Sequence, residues 1–268
     1  MTYTPILPVS GYSGWAFLKR TMSTQKAAFD SQKNIAREED YFRKKIGTIS
    51  KADDLVNDRQ LLKIALGAFG LDSDISNKFF IRKVLEDGTL KTDALANRLA
   101  NKQYRKFSAA FGFGDFSTPS TKLSDFADKI LAQYKDRQFE IAVGEQDDTM
   151  RLAMTAVREL LDLAKSSASD RTKWYTVLGN APLRQVFETT YGLPSAFGAL
   201  DVDRQVSVLQ EKTRAAFGKD GFSQFSEEGV RENLVRRFLL SSEIASFSAA
   251  QSSASIALTL LQSQSQYS

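Results

Sequence analysis

The sequence predicts an all-α protein: an internally duplicated, two-lobed helical domain with a long N-terminal helix before it and a weak C-terminal helix after it. Three observations predict this. Helical runs close on an aromatic-glycine pair four times, at Phe69-Gly70, Phe111-Gly112, Tyr191-Gly192 and Phe217-Gly218. An offset of 122 residues lays Leu55–Leu61 onto Val177–Leu183 and Phe69-Gly70-Leu71 onto Tyr191-Gly192-Leu193 without a gap. Ile64 then meets Val186 and Ala65 meets Phe187, so the apolar positions keep helical spacing in both copies. Strand signals, runs of alternating apolar and polar residues, are nearly absent.

Residues 1–14 hold Pro5, Pro8, Gly11 and Gly14 among hydroxyl residues and read as an irregular arm. From about Trp15 to Ile46, the residues Leu18, Met22, Phe29, Ile35, Phe42 and Ile46 set a sparse apolar stripe on a surface rich in Lys, Gln, Arg and Glu, so this long helix needs a partner surface. Arg43-Lys44-Lys45 at its end suits the helix dipole. Ser50 with Asp53 reads as a capping pair for the next segment. Asp58 and Asn180 are candidate N-caps, with Pro182 in the first turn of the second copy. Gly70, Gly112, Gly192 and Gly218 are the structural caps at helix ends, in left-handed stop positions, and Leu71 and Leu193 are placed to close Schellman endings.

Helices over 123–139 and 230–240 follow from Phe126, Ile130, Tyr134 and Val230, Leu234, Phe238 at four-residue spacing. A further helix over 148–164 carries Met150, Leu152, Met154, Val157, Leu160 and Leu161. After residue 243, Ile244, Phe247, Ala250, Ala254, Leu258 and Leu261 keep a helical apolar trace among Ser and Gln, a helix weak on its own. The expected organisation is thus an arm and long helix (1–47), a first lobe (48–145), a second lobe repeating it (146–243) and a Ser/Gln-rich tail, helical or disordered (244–268). Leu18, Met22 and Phe29 at one end and Leu258 and Leu261 at the other are the candidate partner-binding residues.

The composition is that of an ordinary soluble globular chain, 42% hydrophobic and 25% charged over 268 residues. A net charge of +4 is too mild to imply a nucleic-acid partner. The chain has no His and no Cys, which removes imidazole bases, thiolate nucleophiles and the usual zinc ligand sets. No apolar stretch approaches the roughly 20 residues that span a bilayer. The first eight residues lack the basic region, apolar core and cleavage site of a secretory signal.

Motifs for chemistry fail on inspection. Asp72-Ser73-Asp74 opens like a calcium loop, but Asn77 replaces the turn glycine and Lys83 the bidentate Glu. Gly112-Phe113-Gly114 has no preceding strand and lacks the third glycine of a dinucleotide site. Glu38-Glu39-Asp40 and Asp147-Asp148 read as solvated or dipole-complementing acids. Trp174 and Tyr175, with Arg236 and Arg237, are candidates for an aromatic-cationic patch, against which stands Trp174 as a core anchor. No cofactor, metal or catalytic residue is expected.

The segments Gly11-Tyr12-Ser13-Gly14-Trp15-Ala16-Phe17-Leu18, Ala68-Phe69-Gly70-Leu71, Trp174-Tyr175-Thr176-Val177-Leu178-Gly179-Asn180 and Tyr191-Gly192-Leu193-Pro194 carry a resemblance. Through them the chain resembles an uncharacterised alphaproteobacterial family encoded among flagellar genes, over most of residues 10–243. The resemblance implies an all-α protein of the flagellar system without an assigned catalytic residue. The expected function is non-enzymatic: a structural, assembly or chaperone-like role in binding flagellar components, in the cytoplasm or at the flagellum, with export that needs no cleaved signal left open. The alternative is a cytoplasmic regulatory helical module that recognises a protein or nucleic acid. Neither a small-molecule substrate nor membrane insertion is expected.

Overall fold

The computed structural model describes residues 3–265, with side chains described through Ser248. Among the described residues the chain is all-α, with no strand. It divides into two units, the first holding residues up to Leu7 and Phe17–Asp148, the second Pro8–Ala16 and everything from Thr149 onward. The N-terminal arm and long helix are therefore not a separate part of the chain.

In the first unit, α1 (Gly11–Asp30, entering this unit at Phe17) and α2 (Lys33–Ile46) replace the single long helix expected over 15–46. Asp30 and Ser31 interrupt it for a local reason. Short polar side chains compete with the helix for backbone groups, and the Ser31 hydroxyl donates to the Ala28 carbonyl at 2.8 Å. Gln32 then turns to extended backbone at ψ 141, and its side chain accepts the Tyr3 N–H at 2.9 Å.

The chain continues through α3 (Ala52–Asn57) and α4 (Arg59–Phe69). The cap of α3 differs from the expected Ser50–Asp53 pair. Asp54, one residue on, reaches back to the backbone N–H groups of Lys51 at 3.1 Å and Ser50 at 3.3 Å, while Asp53 turns outward to pair with Arg82. Asp58 caps α4 by accepting the N–H groups of Gln60 and Leu61, both at 3.0 Å. The unit closes with α5 (Lys78–Asp87), α6 (Leu95–Arg98), α7 (Gln103–Phe111) and α8 (Phe126–Gly144). α4 packs along α8, and α3 against α5. The core is a run of ring contacts: Phe69 edge-on to Phe107 at 5.4 Å, Phe107 to Phe111 at 5.1 Å and Phe111 edge-on to Phe126 at 5.1 Å. Each fully buried ring contributes roughly 1.5–3 kcal/mol of apolar burial.

The second unit holds α9 (Asp148–Lys165, entering this unit at Thr149), α10 (Asp170–Gly179), α11 (Ala181–Thr190), α12 (Val202–Phe217) and α13 (Glu228–Ser265). Asn180 caps α11 by accepting the Leu183 N–H at 3.2 Å. Here α11 packs along α13 and α10 against α12. Trp174 sits fully buried at the centre, edge-on to Phe222 at 4.7 Å and Phe187 at 5.4 Å. α13 runs without interruption past residue 243, where a distinct tail was expected to begin.

Both Schellman endings close in the same way. Leu71 N–H reaches the Leu66 carbonyl at 3.0 Å and Gly70 N–H that of Gly67 at 3.2 Å. In the second unit Leu193 reaches Glu188 at 2.9 Å and Gly192 reaches Thr189 at 3.2 Å. Gly70, Gly112, Gly192 and Gly218 have φ of +68°, +68°, +58° and +81°. Within each unit the order is a short helix, an Asx cap, a helix, a glycine stop and a 3-10 turn, then a connecting segment and a long final helix. The connecting segment is α5 to α7 in the first unit and the single α12 in the second.

Candidate functional site

α13 presents two faces. Leu234, Val235, Phe238 and Leu239 are buried, whereas Leu240 is 42%, Ile244 68% and Phe247 64% exposed. Leu240, Ile244 and Phe247 stand at i, i+4 and i+7, one stripe of a helix that advances about 100° per residue, on the side away from the buried set. No Asp, Glu, Lys or Arg occurs after Glu243. The result is an apolar stripe that begins beside Arg236, Arg237 and Glu243 and runs onto a helix end without charge, the kind of surface that marks a protein interface.

The part of α13 just before this stripe is held by residues 8–16, the amino-terminal piece of the second unit. Trp15 is 2% exposed, and its indole N–H donates to the Glu232 carboxylate at 3.0 Å. The Tyr12 hydroxyl donates to the same carboxylate at 3.3 Å, and the Arg236 guanidinium lies 5.5 Å from the Tyr12 ring centre. Both glycines of the segment are sites of close approach. A Cβ on Gly11, whose φ is +66°, would overlap the Glu243 carboxylate, and one on Gly14 would overlap the Val9 carbonyl and come within 3.0 Å of the Met150 methyl. The Gly-Tyr-Ser-Gly-Trp motif thus builds a clasp on α13.

The expected partner-binding residues fall differently. Leu18 is 0% and Phe29 7% exposed, with Phe29 edge-on to Phe139 at 5.6 Å. Both are corrected to core residues: the stripe that looked too sparse in sequence is covered by the fold. Met22 is half-buried. Leu258 and Leu261 lie outside the residues whose side chains are described. What the sequence reading missed was Leu240 and the acceptor Glu232. The trace through Ile244 and Phe247 is legible in the sequence, but the spacing over 230–240 places Leu240 with the core helix before it.

The other candidates are absorbed by structure. Trp174 donates its indole N–H to the Asp220 carbonyl at 3.2 Å inside the core. Tyr175 pairs with Arg171 and Asp203, while Arg236 and Arg237 lie over Tyr12 and Phe217. The four do not form one patch. Glu38 takes Lys63 and the Tyr134 hydroxyl, both at 2.5 Å, and burial followed by that bond pushes the Tyr134 pKa up. Glu39 pairs with Arg43 and Lys135. Asp74 accepts the Tyr104 hydroxyl at 2.6 Å; burial, then this bond, pushes Tyr104 up to about 12. Among the described residues no group of three or more acids is placed to hold a metal ion, and no helix is long and apolar enough to cross a membrane.

Comparison with known proteins agrees with this all-α description. The model of a family described as "Protein of unknown function (DUF1217)" matches residues 68–230, more than half of the chain. The match contains Trp174–Asn180 and Tyr191–Pro194 and leaves out the Gly11–Leu18 motif. A crystal structure of an Agrobacterium tumefaciens protein superposes with a TM-score of 0.74 at 25% identity, over 90% of this chain and 99% of that one. No curated protein matches the chain.

Proposed function

The chain belongs to the DUF1217 family, and from that premise we propose that it is a non-enzymatic, flagellum-associated protein with a structural, assembly or chaperone-like role, capturing another flagellar component through α13. The exposed stripe Leu240-Ile244-Phe247 carries the binding part of this reading. Its occupant is an amphipathic helix with an uncharged face, because the surface offered has no charge to pair after Glu243. The flagellar part rests on the resemblance to a family encoded among flagellar genes. The non-enzymatic part rests on the absence of His and Cys from the sequence and on acids engaged in ion pairs.

The test is a pull-down from cells of the natural host, using the full chain, an Ile244→Asp/Phe247→Asp variant and a chain cut after residue 243, with melting curves beside each and a gene deletion scored for swimming. The reading expects impaired motility on deletion, capture of a flagellar component by the full chain, and loss of that capture in both altered proteins at unchanged melting temperature. Normal swimming overturns the flagellar role, and undiminished capture by the double variant overturns the stripe. Untagged protein confined to the cytoplasmic fraction, together with normal swimming, would make the chain the regulatory module instead.

A further inference from the structure

In the first unit a groove of about 490 Å³ runs beside α4, lined by Arg59, Gln60, Lys63, Leu66, Asp72 and Ile75. This is within the size range of ligand sites. Arg59, Lys63 and Leu66 stand at i, i+4 and i+7 on α4, so they share one face, while Asp72 and Ile75 come from the 3-10 turn after the Schellman ending.

The cationic end is available. Arg59 is exposed and has no hydrogen-bond or ion-pair partner among the described residues. Its neighbour Asp58 makes no ion pair with it; that carboxylate accepts the N–H groups of Gln60 and Leu61 and the Tyr41 hydroxyl at 2.7 Å. Lys63 shares Glu38 with Tyr134. The middle of the groove is apolar, with Leu66 fully buried and Ile75 half-buried. Asp72 bounds the far end, its carboxyl lying over Gly67, where a Cβ would come within 3.2 Å of Oδ1.

The second lobe shows that the fold does not demand these side chains. At the 122-residue offset the cap and the stop are retained as Asn180 and Gly192, yet Arg59, Gln60, Lys63 and Asp72 correspond to Ala181, Pro182, Gln185 and Pro194. Ile75 corresponds to Phe197, which is 3% exposed. A similar helix ending is thus built twice, and the charged groove side chains stand only in the first.

We propose that this groove binds a short acidic peptide segment in extended form, with an Asp or Glu side chain on Arg59 and an apolar side chain against Ile75, above the buried Leu66. The seven-residue step from Arg59 to Leu66 is about 10 Å along a helix, which is about three residues of extended chain. The acidic and apolar residues of the ligand therefore stand about three positions apart. A free inorganic anion would use the Arg59 end alone and leave the apolar middle empty. This site is independent of the α13 stripe.

The experiment is selection from a random peptide display library on immobilised full-length protein, followed by affinity measurement of an enriched synthetic peptide against wild type, Arg59→Ala and Ile75→Asp, with inorganic phosphate titrated separately. Expected are peptides enriched in an acidic residue about three positions from an apolar one, and at least about tenfold weaker binding by each variant, as a lost charge-assisted or apolar contact implies. Arg59 is exposed and Ile75 packs only against the edge of the core, so melting curves of the variants are run beside the affinities, and Arg59→Ala alone decides the charge contact. Absence of enrichment, enrichment without acidic residues, or equal affinity for Arg59→Ala overturns the proposal. Phosphate binding as tightly as the best peptide, and lost in Arg59→Ala alone, also overturns it and makes the site one for a free anion.

Discussion

Gly70 and Gly192 share a left-handed backbone, at φ +68° and +58°, but not their surroundings. A Cβ at Gly192 would meet nothing within 4 Å, whereas at Gly70 it would come within 2.5 Å of Arg137 Nη1, on a side chain whose Nε donates to the Ala68 carbonyl at 3.0 Å. Gly192→Ala should therefore cost only the backbone strain, about 1 kcal/mol. Gly70→Ala should cost about 2 kcal/mol, since Arg137 must give up its bond as well. Urea unfolding of the two variants checks the difference, and equal costs would mean that Arg137 moves freely. The glycine positions were legible because an aromatic-glycine pair after an apolar helical run leaves the backbone few other ways to stop. The Arg137 contact joins residues 67 apart in sequence, a separation that no local pattern reports.

At the level of elements, the segment joining α5 to α7 is fastened by one carboxylate. Asp115 accepts the Thr89 N–H at 2.6 Å, the Thr89 hydroxyl at 2.8 Å and the Leu90 N–H at 3.0 Å. Burial by itself would raise its pKa, but these donors outweigh burial and hold it below the usual carboxylate range. A depressed folded pKa gives stability that is present above the unfolded value, about pH 4, and is lost as pH falls through the folded value. Asp30 and Asp72, both raised by burial, work the other way. Unfolding midpoints measured from pH 6 down to pH 3 should fall less steeply in Asp115→Asn than in wild type; parallel curves would remove Asp115 from the acid response. Element existence was readable from caps and periodicity, but element joints were not. The break at Ser31 is held by the Ser31 hydroxyl on the Ala28 carbonyl and by Gln32 accepting the Tyr3 N–H, and the α3 cap comes from Asp54 acting one position beyond the expected acid. Both were decided by which of several equivalent polar groups the fold left available.

For the whole molecule, the matched order of elements and the matched packing, α4 on α8 and α11 on α13, support the proposal that the two lobes arose by duplication. Superposing α3, α4 and α8 on α10, α11 and α13 tests it, and a fit confined to the caps would reduce the likeness to local chemistry. The two-unit division also predicts where damage stays. Gly14→Ala drives a Cβ into the Val9 carbonyl, a backbone atom that yields less readily than a side-chain end. Hydrogen exchange should then rise in residues 8–16 and in α9 and α13 while α4 and α8 keep their protection; a uniform rise would show one cooperative unit. All-helical character was readable because it rests on local spacing. The clasp and the groove were not, because Trp15 and Glu232, like Arg59 and Ile75, acquire their roles only when distant segments meet. The contrast between the apolar stripe of α13 and the unpaired Arg59 of the groove has a practical consequence. Coulombic attraction between exposed groups fades over a Debye length of about 10 Å at 0.1 M ionic strength, whereas apolar association does not weaken with added salt. Raising the salt concentration should therefore weaken the groove's hold through Arg59 and leave the helix partner as tightly bound, so that one elution series sorts the two sets of ligands by the surface that caught them.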